Sequence, residues 1–305
     1  MKNPFIALEP KQFPAYVSAI ENAGGEVVPL GKDVKALVWT DYSAPAALER
    51  MLEDNPQLEW VQLPFAGVDA FANILNERVI FTSAKRSYSE PVAEHALALA
   101  LALGRTIPER VRAKSWGKKF ADSLFDEEVL IVGGGGIAQV LIHLLKPFRA
   151  KVTVLRKRTA QPIEGCDRVV GFDDFYAAIK KPKFIFVACA LTNETRFLFD
   201  SNAFASVRPD AYLINVARGE VVKQDAVLEA IRTGKLAGYA TDVTYPEPLP
   251  EGSEMWHEPK ILITPHTADT MPIVTRLFAE RLDYNVRAWL AGADLMGIVD
   301  PKLGY

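Results

Sequence analysis

Cysteine is almost absent from this sequence: Cys166 and Cys189 are the two in 305 residues. They are too few for a disulfide framework, their segments do not suggest a cysteine metal site, and they suit a reducing compartment. An excess of either charge is missing too. With 35 Lys and Arg against 38 Asp and Glu, the net charge of −3 provides no field to draw nucleic acid or an anionic membrane surface. Long apolar runs are lacking. The longest is Ala96 to Leu103, and Val129 to Leu145 is broken by four glycines and two polar residues, so no membrane span is expected. At the start, Lys2 is soon followed by Pro4, Glu9 and Pro10 rather than by the apolar core of a signal peptide, which makes cytoplasmic residence the expectation. Internal repeats and low-complexity tracts are absent, and the basic patch Lys114 to Lys119 is small enough to be a solvated loop.

What is present suits a folded protein with more than one core. Apolar residues make up 49% of the chain, and its length exceeds what a single core usually serves, so two domains are expected. Short β-type runs at Phe5 to Leu8, Glu26 to Val28, Ala36 to Trp39, Trp60 to Leu63 and Val79 to Thr82 alternate with helical patterns. Such alternation predicts a small five-stranded parallel sheet covered on both faces. A long helix signal, Glu90 to Gly104, follows. The alternation then resumes with six strand candidates: Glu128 to Val132, Val152 to Leu155, Lys183 to Ala188, Ala211 to Val216, Leu236 to Asp242 and Ile261 to Thr264. Six strands suit a doubly wound fold. After Pro272, apolar residues from Val274 to Leu290 recur three or four apart and predict one long amphipathic helix.

The first of those six candidates runs into Gly133-Gly134-Gly135-Gly136-Ile137-Ala138 and then into a helical pattern. This is G-x-G-x-x-A between strand and helix. Gly133 permits the tight turn, Gly135 lets the backbone approach a pyrophosphate, Ala138 allows close helix–strand packing, and the N–H groups from Gly136 and Ile137 onward face the anion. A dinucleotide is the implied ligand. An NAD-preferring site carries a carboxylate at the end of the next strand, about 20 residues on. Here that place reads Arg156-Lys157-Arg158, which suits a 2′-phosphate, so NADP is favoured over NAD.

Three further segments each put one chemically active residue just past a strand: Asn215-Val216-Ala217-Arg218-Gly219, the run Asp242 to Pro250 with Glu247 between prolines, and Thr264-Pro265-His266-Thr267. Taken singly, each residue would be assigned to an ordinary structural or surface role. Their order and spacing behind the glycine turn resemble the D-isomer-specific 2-hydroxyacid dehydrogenases along nearly the whole chain. What that resemblance implies is a hydride transfer between NADP(H) or NAD(H) and a small 2-keto or 2-hydroxy acid. Arg218 would hold the substrate, His266 would be the acid/base and Glu247 its partner. Reducing a keto acid leaves an oxygen that needs a proton, and a carboxylate beside an imidazole keeps the donor charged. His95, His143 and His257 lack such context and are expected to be structural or surface residues.

The resemblance extends to details. Phe65, Ala66 and Gly67 match the family's substrate loop, while Ala190 stands where proline is usual in the loop that holds Thr195. Ala190, Thr195, Ala217 and Asp242 are accordingly assigned to the cofactor, and no metal is expected. The implied architecture is two doubly wound parallel-sheet α/β domains, a Rossmann coenzyme domain (99–274) inserted in a flavodoxin-like substrate domain (1–98 and 275–305). Relatives also imply a homodimer. A glyoxylate/hydroxypyruvate reductase is the leading expectation and a phosphoglycerate dehydrogenase-like enzyme the runner-up, since the latter often adds a regulatory domain. A non-enzymatic NAD(H)-sensing corepressor would be expected to carry longer disordered tails than this sequence has. A formate dehydrogenase would pair its His with Gln rather than Glu247.

Overall fold

A computed structural model describes residues 2–302, so Leu303, Gly304 and Tyr305 of the family-like tail lie outside the described residues. The chain divides into two compact units, one made of the residues up to Tyr88 with those from Thr270 on, the other Ser89–Asp269. Both divides fall just outside a helix. Boundaries at 98/99 and 274/275 would instead cut the helices Ser89–Gly104 and Met271–Ala291, each a cooperative hydrogen-bonded unit.

The first unit holds Phe5–Glu9 (β1), Glu26–Val27 (β2), Ala36–Trp39 (β3), Trp60–Gln62 (β4) and Ile80–Thr82 (β5), all parallel in the order β2-β1-β3-β4-β5. This is the flavodoxin-like order. Residues 36–39 and 60–62 are buried throughout, as expected of strands covered on both faces. Helices Pro14–Asn22 (α1) and Pro45–Asp54 (α2) each begin with proline, whose fixed φ suits the first turn.

In the second unit, Ser89–Gly104 (α3) and Ile107–Arg112 (α4) precede Glu128–Val132 (β6), Gly136–Leu145 (α5) and Lys151–Leu155 (β7). Arg168–Val170 (β8), Phe175–Ala178 (α6), Phe184–Val187 (β9), Ser201–Ser206 (α7) and Tyr212–Asn215 (β10) follow. Gln224–Arg232 (α8), Gly238–Thr241 (β11) and Ile261–Ile263 (β12) complete it. Among the described residues these strands form a seven-stranded parallel sheet, β12-β11-β10-β9-β6-β7-β8. Its order reverses at β6, the switch point where doubly wound folds bind nucleotides. Six strands were expected. The seventh, β8, has three residues at the sheet edge and opens on an exposed Arg168, too short and too polar for a periodic signal.

The chain then returns to the first unit as Met271–Ala291 (α9). Val274, Leu277, Phe278, Leu282 and Val286 form its buried stripe, and it stops at Gly292 with φ +67°, a left-handed end that glycine adopts without strain. Among the described residues no helix is long and apolar enough to cross a membrane.

Candidate active site

The glycine turn after β6 is built by steric necessity. Gly133 has φ +111°, and a Cβ there would lie 2.4 Å from the Ala188 carbonyl oxygen, so only glycine fits. A side chain on Gly135 would meet open space, and Gly135 begins α5 with no side-chain cap. The first N–H groups of that ten-residue helix therefore remain available to an anion. Arg156, one residue past β7, lies over the turn: a Cβ on Gly134 would touch its Cδ at 2.6 Å. Its guanidinium donates to the Gln161 carbonyl, while its Nε is buried without an acceptor. Lys157 bonds Glu194 at 2.8 Å, and Arg158 is exposed. Cations, a glycine cradle and an orphaned donor at two neighbouring strand ends fit a dinucleotide.

Beside the turn, the loop after β9 is closed by Thr195 rather than by a proline at Ala190. The buried Thr195 hydroxyl donates to the Ala190 carbonyl at 2.7 Å and accepts the Thr192 N–H at 2.8 Å. That side chain is engaged within its own loop, so a cofactor would meet the loop's surface rather than the Thr195 hydroxyl.

Arg218 and Glu247 come from different strand ends, and backbone contact joins their loops. A Cβ on Gly219 would sit 2.1 Å from the Thr244 carbonyl group, so the glycine after Arg218 lets the 244–247 segment press against it. Asn215, buried at the end of β10, accepts the Ala217 N–H at 3.0 Å and donates to the Arg218 carbonyl at 3.0 Å. Arg218 itself donates from Nη1 to the Ala217 carbonyl at 2.8 Å. Sequence reasoning gave Asn215 no role of its own, although the N-x-x-R-G spacing contains it.

His266 donates from Nδ1 to Glu247 Oε1 at 2.6 Å, and Glu247 Oε2 accepts the Thr244 N–H at 3.2 Å. The Nε2 edge of the imidazole is then the one left to meet a ligand. The hydrogen bond to Glu247 raises the His266 pKa above the usual imidazole value, with burial and the Arg218 charge opposing. Burial pushes the Glu247 carboxyl up, but the bond from His266 and that group's charge outweigh it, leaving Glu247 below the usual carboxylate range. The Arg218 charge lowers both pKa values, which places its guanidinium in the same electrostatic neighbourhood. Asp269, unremarked in the sequence, is held above the usual aspartate value by burial.

Asp242, just past β11 and 2% exposed, organises the loop that carries His266. Its Oδ1 accepts from Thr264 Oγ1 at 2.6 Å and from the Thr267 N–H at 2.9 Å, and its Oδ2 accepts the Ala268 N–H at 3.0 Å. The Asp242 carbonyl accepts the His266 N–H at 2.9 Å, supporting the left-handed φ of +51° at His266. Burial opposes the charge of Asp242, yet His95, Thr264 and the two backbone donors keep it below the usual range. His95 therefore has the context the sequence did not reveal: its Nε2 lies 2.9 Å from Thr264 Oγ1 and 3.4 Å from Asp242 Oδ1.

In the first unit, Tyr88 donates to the Pro64 carbonyl at 2.9 Å and the Ala84 N–H to the Phe65 carbonyl at 3.0 Å. The N–H groups of Phe65, Ala66 and Gly67 donate to nothing among the described residues. The Phe65 ring packs edge-on against Tyr42 at 5.5 Å. Among the described residues no cluster of three or more His, Cys, Asp or Glu side chains is arranged to hold a metal ion.

The sequence profile described as D-isomer specific 2-hydroxyacid dehydrogenase, NAD binding domain, matches residues 96–268. An uncharacterised protein from the proB 3′ region of Corynebacterium melassecola is 31% identical across 98% of this chain and 99% of its own length. Glyoxylate/hydroxypyruvate reductase A of Serratia proteamaculans is 32% identical over 57% of this chain and 55% of that protein, so the match spans about half of the curated reductase. Among solved structures, a D-isomer specific 2-hydroxyacid dehydrogenase from Xanthobacter autotrophicus Py2, in complex with NADPH and MES, superposes with a TM-score of 0.85. It is 26% identical and covers 100% of both chains.

Proposed function

The chain belongs to the D-isomer specific 2-hydroxyacid dehydrogenases, NAD(P)-dependent oxidoreductases, and on that premise we propose that it reduces a small 2-keto acid of the glyoxylate or hydroxypyruvate class with NADPH. The observation that carries this reading is the 2.6 Å bond from His266 to Glu247 within the field of Arg218. NADPH, held by the glycine turn and Arg156, would supply the hydride for C2 of the keto acid. His266 delivers the proton from Nε2 to the oxygen, which becomes the hydroxyl of the product. Glu247 keeps the imidazolium charged and turned the right way, and Arg218 offers a planar fork to carboxylate or carbonyl oxygen. The N–H groups of Phe65, Ala66 and Gly67, which donate to nothing among the described residues, suit the substrate carboxylate. Coenzyme binding is accordingly assigned to the unit Ser89–Asp269.

The cofactor preference rests on Arg156, Lys157 and Arg158, with no carboxylate among them, and the NADPH complex of the Xanthobacter relative supports it. Arg156→Asp is expected to weaken NADPH relative to NADH by about 1 to 3 kcal/mol, the scale of charge-assisted hydrogen bonds. An unmoved ratio of the two dissociation constants would mean that another group reads the 2′-phosphate. A homodimer is supported by the second unit's exposed apolar side chains Val111, Trp116 (89% exposed) and Phe120, and size-exclusion chromatography with light scattering tests it. Cytoplasmic residence is supported by the two free cysteines.

The decisive assay follows NADPH and, separately, NADH absorbance with glyoxylate, hydroxypyruvate, pyruvate and phosphonooxypyruvate. Turnover of glyoxylate or hydroxypyruvate with NADPH is expected. Silence with all four acids would overturn the enzymatic reading.

A further inference from the structure

We infer that His95 is a positioning residue for the proton-donating loop, acting through Thr264 and Asp242; the inference rests on the reading of His266 as proton donor. The geometry fixes the direction of each bond. Thr264 has one hydroxyl proton, and it is given to Asp242 Oδ1 at 2.6 Å. Toward His95 the same oxygen can only accept, so His95 Nε2 must carry the proton across the 2.9 Å contact, with Asp242 Oδ1 a second acceptor 3.4 Å away.

His95 is thus the one side chain from α3 in a set otherwise drawn from the segment after β11 and the loop after β12. A carboxylate that is 2% exposed needs its charge compensated, and one of its oxygens receives donors from Thr264, Thr267 and His95. The loop they hold is the one whose His266 sits at φ +51°, with its N–H on the Asp242 carbonyl. Loosening that anchorage lets the imidazole drift from the position in which it meets the substrate oxygen, although among the described residues His95 bonds to Thr264 and Asp242 rather than to the imidazole or Glu247. Oδ2 of Asp242, with Ala268 N–H as its protein donor, retains acceptor capacity for a ligand amide, so bracing the loop does not compete with a contact to the cofactor.

The chain has four histidines, few enough to assign one by one from single substitutions. Imidazole ¹⁵N spectra of the wild-type protein at neutral pH should show His95 with its proton on Nε2, and a His95 protonated only at Nδ1 would overturn the inference. In the His95→Ala variant the His266 resonances should move, and kcat should fall about tenfold or more with KM for the keto acid within about threefold. His95→Gln, whose amide can reach Thr264 as a donor, should recover most of that loss. A helix-packing role would give equal losses in both variants. Unmoved His266 resonances with unchanged kcat in His95→Ala would also overturn it. If the wild-type protein reduces no keto acid, the proposed activity fails, and the tautomer and the His266 resonances still decide the role of His95.

Discussion

Each unit buries a polar cluster at the carboxyl ends of its parallel strands, but the two clusters differ in charge and in where they lead. In the first, neutral groups close on one another. Trp60 donates to Thr82, Thr82 to Gln62 Oε1 at 2.8 Å, and Asn285 from α9 to the same Oε1 at 2.7 Å and to the Met296 carbonyl at 3.0 Å. Met296 returns its N–H to Asn285 Oδ1. In the second, an ionised Asp242 and its donors lead outward to a histidine whose side chain is 45% exposed and a glutamate 41% exposed. Strand ends supply both clusters. A neutral, sealed network fastens chain to sheet, whereas an ionised one that opens to solvent can bind and transfer a proton.

The contrast breaks most sharply at His266. His266→Ala should lower kcat by about a hundredfold to ten-thousandfold, the range of general acid catalysis, and leave the melting temperature within a degree or so because the side chain is half exposed. Turnover within tenfold of wild type would remove the proton-donor assignment. Asn285→Leu should do the reverse. It leaves the buried Gln62 Oε1 and the part-buried Met296 N–H and carbonyl each one partner short, costing about 1 to 3 kcal/mol and lowering the melting temperature by several degrees with kcat unchanged. A variant that melts like wild type but turns over slowly would erase the division between the clusters.

The same division explains what the sequence made legible. The glycine turn could be read because one steric demand, the Ala188 carbonyl against Gly133, leaves a local pattern. Arg218, Glu247 and His266 were recognisable together, because their order and spacing in the loops after β10, β11 and β12 resemble one family's pattern, and not singly. The structure joins Glu247 with His266 and sets both in the field of Arg218. His95 was passed over because 169 positions separate it from Thr264, and within the apolar repeat of α3 a lone histidine gives no sign of what its ring will meet. Asn285 and Gln62 stayed silent for the same reason: partners 223 positions apart have no spacing to betray them. The edge strand β8 escaped notice because three residues cannot establish a period.

The smallest expected effect is also the one that isolates charge from geometry. Because the His266 pKa is raised by Glu247, the protonated imidazole needed for reduction persists above the usual imidazole range, and the reductive rate should fall as pH rises through that elevated pKa. Glu247→Gln keeps an acceptor for the Nδ1 proton but removes the negative charge, while Arg218 continues to push the imidazole pKa down. The midpoint of log kcat against pH should then move to lower pH, with smaller loss at acidic pH than at neutral pH. Stability depends on both partners. The share of His266, whose pKa is raised, is lost as pH rises through its folded pKa, that of Glu247, whose pKa is lowered, is lost as pH falls through its own, and the exposure of both side chains keeps the sum small. A midpoint that stays in place while kcat falls at every pH would show that Glu247 orients the ring without tuning it, and the second cluster would then resemble the first more closely than its charge suggests.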